Sequence, residues 1–206
     1  MADGGINPGV RAKRCDFNGW HWVYANIAHA QTFEATGSRI SSLKLRVAKL
    51  NDNKPSAPLE VEIRDPKFEI IYARGFIDAK VAQREFRWQQ VELTHTSPLK
   101  TGGSYALLFH SRDNTNQSPW VVNAIYEDVY PPGRHGSNGH EDFFFAIDFK
   151  DGKSLRVGPD GEKTRMTTPI SSGSAGGLPG DGGPLTLQGF GPIPTGRLNG
   201  TTQPTK

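Results

Sequence analysis

Alternation of apolar and polar residues with a period of two runs through most of this chain and restricts it to sheet. In SLKLRVAKL, Leu43, Leu45 and Val47 share one side while Lys44 and Arg46 take the other, as in a strand with one face in a core and one in water. LEVEIRD repeats the pattern, with Leu59, Val61 and Ile63 set against Glu60, Glu62 and Arg64. The connecting loop NDNKPSAP carries two prolines that forbid strand continuation, so these two segments are expected to be antiparallel neighbours. SYALLFHS places Tyr105, Leu107 and Phe109 on one face, and DFFFAIDF does the same with Phe143, Phe145, Ile147 and Phe149. Leu108 and Phe144 make part of the second face apolar too, as expected of central strands. In FRWQQVELT the inward phase changes between Phe86 and Trp88 and Val91 and Leu93, and a bulge near Gln89-Gln90 would accommodate that. Further strands are expected around Gln31 to Ala35 and Tyr72 to Ile77. No segment shows a capped helical stripe; DAKVAQREF comes nearest and allows two turns at most.

Among 206 residues, 24 Gly and 15 Pro supply the turns that many short strands need. The expected fold class is all-β: a β-sandwich of the jelly-roll kind with antiparallel sheets, one core and an extended Gly/Pro-rich C-terminal segment. The domain plan is an N-terminal arm over residues 1–15, the sandwich over 16–170, and a linker or arm over 171–206. Within that tail the island PLTLQGF is apolar enough to dock as an edge strand.

A net charge of +3 without a dense Lys/Arg stripe speaks against nucleic acid as a partner. Cys15 is the single cysteine, so neither an internal disulfide nor a cysteine metal cluster can form. No apolar run is long enough to span a membrane. The N-terminus MADGGINPGV lacks signal-peptide character, and the expected setting is extracellular or periplasmic, as a mature or excised module.

The order of segments resembles the galactose-binding-like, jelly-roll carbohydrate-binding modules of bacterial polysaccharide-degrading enzymes. Gln31-Thr32-Phe33, the Leu43 to Ile63 strand pair, Trp88 to Val91, Leu99 to Leu107, Tyr126 to Tyr130 and Asp142 to Phe145 carry the resemblance, which covers roughly residues 30 to 150. It implies a non-catalytic, polysaccharide-binding role, a catalytic domain as partner on the same parent chain, and a structural calcium ion, for which Glu141 and Asp142 are the nearest carboxylates.

The link from Ser111 to Glu141 is long, and long loops on a rigid sandwich are where binding sites gather. It holds Trp120, Tyr126, Tyr130, Arg134, His135 and Asn138, the planar aromatic and hydrogen-bonding groups that a sugar face and its hydroxyl rim require. His110, at the exit of its strand, is expected to point to the same loop end as Trp120. His135 and His140 beside Glu141 and Asp142 do not follow the His-x-His order of cupin metal sites. Trp20 and Trp22 alternate in DFNGWHWVY and share a face if that stretch is a strand. For catalysis, Asp148 with Asp151 and Asp113 with Asp128 lack any context that would split their pKa values, and no nucleophile elbow or phosphate loop is present. Two other readings stand beside sugar binding: a polysaccharide lyase using Tyr130, His135 and Arg134, and a structural or adhesion domain of a surface or phage assembly.

Overall fold

A computed structural model describes residues 18–50, 52, 54–125, 130–131, 141–158, 163–164, 185–187 and 191–200. The strands are, in order, β1 (Asn18–Val23), β2 (Ala25–Glu34), β3 (Ile40–Lys49), β4 (Leu59–Arg64), β5 (Ile70–Ile77), β6 (Phe86–Gln90), β7 (Glu92–Thr96), β8 (Ser104–Ser111), β9 (Trp120–Ile125) and β10 (Asp142–Phe143). They continue with β11 (Phe145–Phe149), β12 (Ser154–Val157), β13 (Lys163–Thr164), β14 (Thr186–Leu187), β15 (Gly191–Pro192) and β16 (Arg197–Leu198). DAKVAQREF forms only a 3-10 turn, Ala79–Val81, started by Asp78, whose carboxylate accepts the Lys80 N–H at 2.8 Å.

These strands build a β-sandwich. The first sheet runs β1-β9-β3-β11-β12, with β10 on β9, β6 on β3 and β13 on β6. The second runs β15-β14-β2-β8-β4-β5-β16, with β7 also on β5. Leu43, Leu45, Phe145 and Ile147 from the first sheet meet Leu59, Val61, Ile63 and Phe109 from the second in one sealed core. Phe109 and Phe143 close it edge to face, with ring centroids 4.7 Å apart.

Two expectations about neighbours need correction. The segments around Leu45 and Val61 do not pair; β3 and β4 lie in opposite sheets. Each alternates because each has one buried face, and a sandwich satisfies that condition in either sheet. The proline loop between them is a corner, held by Asn114, whose Oδ1 accepts the Ser56 and Ala57 N–H groups at 2.6 and 3.0 Å. Nor is the phase change after Gln90 a bulge. β6 pairs with β3 and β7 with β5, so the chain passes from sheet to sheet at Val91. Val91 is buried at that crossing and donates its N–H to Leu43 O at 2.8 Å.

The part of the tail that is described docks. β14 pairs parallel to β2 at one margin of the second sheet, and β16 pairs parallel to β5 at the other. Residues 193–196 therefore cross the outer face over β8 and β4. Leu185, Leu187 and Ile193 pack on Ala28, Ala30 and Leu108, which explains why Leu108 is apolar on the side away from the main core. At Gly196 a Cβ would lie 2.8 Å from Arg64 Nη1 and 2.9 Å from Ile71 Cγ1, so this strap lies flat only without a side chain there.

Candidate functional site

Strand periodicity sets Glu60, Glu62 and Arg64 of β4 on the outer face of the second sheet, because Leu59, Val61 and Ile63 take the core. Register then places Arg74 of β5 opposite Glu62, and His110 of β8 opposite Glu60. Arg112 follows β8, and Pro194 and Thr195 of the strap form a wall. Together they line a cleft of about 350 Å³, at the small end of the roughly 300–1,000 Å³ usual for ligand pockets.

The deep end is fully committed. Arg64 Nε and Nη2 close on Glu62 Oε2 at 2.5 Å, and Arg74 Nε reaches Glu62 Oε1 at 2.8 Å. Arg64 Nη1 donates to the Phe68 and Pro194 carbonyls, both at 2.8 Å. One buried guanidinium thus ties the strap to the sheet, and its charge is balanced by one buried carboxylate. Phe68 presents its carbonyl from a positive φ of 61°, a conformation costing roughly 1–2 kcal/mol for a residue with a side chain.

The open end offers unused groups. Arg74 and Glu60 have side chains 43 % and 46 % exposed, and Arg112 makes no hydrogen bond or ion pair among the described residues. His110 is only 3 % exposed, yet its Nδ1 has no hydrogen-bond partner, and its Nε2 lies 3.7 Å from Glu60 Oε2, too far for a hydrogen bond. Burial lowers the His110 pKa to about 4; Glu62 opposes that shift, and Arg112, Arg64 and Arg74 add to it. Burial, then Glu62, raises Glu60. Both partners are pushed towards neutrality, so desolvation outweighs their mutual attraction.

A pH dependence follows. The unfolded imidazole takes a proton below about pH 6.5 while the native one resists until about pH 4, so His110 favours the native state fully above pH 6.5. That advantage is lost as pH falls from 6.5 to 4, by up to about 3 kcal/mol. Urea unfolding at pH 7 and 4.5 should show a smaller acid loss in His110→Gln than in the wild type; equal losses would refute this.

Of the residues singled out in the sequence, His110 lies in this cleft and the others described do not. Trp120 does not present its ring to a ligand: it is wholly buried between the sheets, with Nε1 donating to Ala57 O at 3.0 Å. His110 and Trp120 face opposite ways, outward and inward, so they do not share a loop end. Tyr130 is buried as well; its hydroxyl accepts the Glu34 N–H at 3.1 Å, and burial pushes the phenol pKa up, which removes it from both the sugar site and the lyase base role. Tyr126, Arg134, His135 and Asn138 lie outside the described residues.

Glu141 and Asp142, the carboxylates expected nearest a calcium ion, are bonded to protein groups. Glu141 Oε2 meets His21 Nε2 at 2.8 Å, while Asp142 accepts Gln31 Nε2 and the Tyr130 N–H, each at 2.7 Å. Those carboxylates pin the start of β10 to the sandwich interior, and among the described residues no three metal-ligating side chains cluster. Trp20 and Trp22 do share a face, stacked at 5.8 Å on the outside of the first sheet, where Trp20 is buried against Ala48, Phe86 and Val121.

Glu60, Glu62, Arg64, Arg74, Arg112 and Thr195 were not singled out as site residues. The available signal was three charges at alternate positions of one strand, which a merely solvated face produces equally well. No family model matches the sequence, and a search of curated proteins finds no match either.

Proposed function

We propose that this chain is a non-catalytic carbohydrate-binding module whose site is the cleft on the outer face of the second sheet. The observation that carries it is the buried His110 imidazole, whose Nε2 has no hydrogen bond among the described residues, in an open polar cleft next to Glu60 and to Arg112, which has no ion pair among those residues. A buried polar group without a partner is costly unless something supplies one. Sugar hydroxyls both donate and accept, so they suit an imidazole, a carboxylate and guanidinium groups held on a rigid sheet. Binding is favoured over hydrolysis because Glu62, the second carboxylate, is locked between Arg64 and Arg74 and has no freedom for acid–base work. Affinity electrophoresis across a panel of polysaccharides tests this. Retardation by at least one glycan is expected, weakened roughly tenfold by Arg112→Ala, which removes a charge-assisted hydrogen bond. Absence of retardation on every glycan would refute binding, and full retention by Arg112→Ala would place it elsewhere.

A further inference from the structure

We infer that the cleft takes the end of an anionic glycan, with a carboxylate or sulfate group of the terminal sugar held by Arg112 and Arg74. This rests on carbohydrate binding at the same cleft. Charge is the first support: three guanidinium groups face two carboxylates. Glu62 is used up by Arg64 and by Arg74 Nε, while Arg112 has no counter-ion among the described residues. The surplus is positive and lies at the accessible end.

The second support is the absence of a stacking surface. Among the described residues no Phe, Tyr or Trp lines the cleft, so a neutral sugar would lack the stacking contact that usually holds its apolar face. Grip here must come from hydrogen bonds and charge, and guanidinium pairs with planar or tetrahedral oxyanions in a forked geometry.

The third is shape. Along β4 the side chains pass from open to sealed, Glu60 being 46 % exposed and Glu62 only 2 %. Beyond Glu62 the strap is fastened, with Arg64 bonded to the Pro194 carbonyl at 2.8 Å. A polysaccharide running through would have to part that bond and lift Ile193 from its apolar seat on the sheet. A chain end enters without disturbing either, and its last hydroxyls reach His110 Nε2 and Glu60.

Calorimetric titration of the full chain tests this with oligouronates and sulfated galacto-oligosaccharides of two to six residues, each beside its neutral counterpart. Anionic oligosaccharides of at least one of the two kinds should bind roughly tenfold or more tightly than their neutral partners. Arg112→Ala should abolish that preference, bringing the affinity for the anionic oligosaccharides down to that for their neutral partners measured on the same variant. Affinity per mole of chain should not change with length, since each chain has one such end. Neutral sugars binding as tightly as anionic ones would overturn the anionic assignment yet leave carbohydrate binding intact; affinity rising with length would overturn end recognition. No binding by any of these sugars, with polysaccharide retardation preserved, would overturn the inference alone, and loss of both would remove the function it rests on.

Discussion

Trp120→Ala is expected to lower the free energy of unfolding by about 4 kcal/mol, enough to unfold much of a marginally stable population. Trp120 is the largest of the fully buried side chains, and removing such a ring forfeits its transfer energy and leaves a cavity that the two sheets cannot collapse to fill. The indole also ties β9 to the proline corner through its bond to Ala57 O. Trp120→Phe separates these effects. It keeps most of the apolar volume, and the Ala57 carbonyl retains Asn114 Nδ2 at 3.0 Å, so the loss should be near 1–2 kcal/mol. Urea unfolding followed by circular dichroism reads both values, and glycan binding by Trp120→Phe should equal that of the wild type. A stable Trp120→Ala protein with lost binding would reverse the assignment and return Trp120 to the ligand.

Glu62→Leu is expected to cost about 3–5 kcal/mol, the usual range when one partner of a buried ion pair is removed and the other stays. Arg64 would keep the Phe68 and Pro194 carbonyls but lose its one counter-charge among the described residues, and Arg74 would lose the bond that holds it across the strand. Glu62→Leu combined with Arg64→Leu should cost less than the sum of the two single changes, because no buried charge is left unpaired. Additive losses would show that the guanidinium is stabilised by its carbonyl partners alone. In the double variant residues 193–196 should become more accessible to protease, since the Arg64 bond to the Pro194 carbonyl is lost with the guanidinium.

Periodicity made the strands legible but not their partners. Leu43, Leu45 and Val47, or Leu59, Val61 and Ile63, reveal a buried face in any sandwich, and nothing local states which sheet a strand joins. The phase change at Val91 carried the right signal with two physical causes, a bulge or a change of sheet, and only long-range pairing distinguishes them. Docking of β14 was legible at PLTLQGF because a short apolar island in a Gly/Pro-rich tail needs a seat, whereas the strap over residues 193–196 carried no such signal. Site residues were harder. Trp120 is a large aromatic after a long polar stretch, a pattern shared by sugar platforms and by cores, and large aromatics are what a sandwich buries first. Arg74, His110 and Arg112 come from separate segments, and they become a site only when register puts β5 and β8 on either side of β4.

Nuclear magnetic resonance of the arginine Nε–H groups and histidine ring protons, recorded during titration with a bound anionic oligosaccharide, gives the most direct view of where a ligand sits. The Arg74, Arg112 and His110 signals should move together and saturate at one stoichiometric equivalent, while those of Arg39 and Arg156, which do not line the cleft, stay in place. Shifts confined to groups away from β4, with Arg112 and His110 unmoved at saturation, would contradict a binding site beneath the strap.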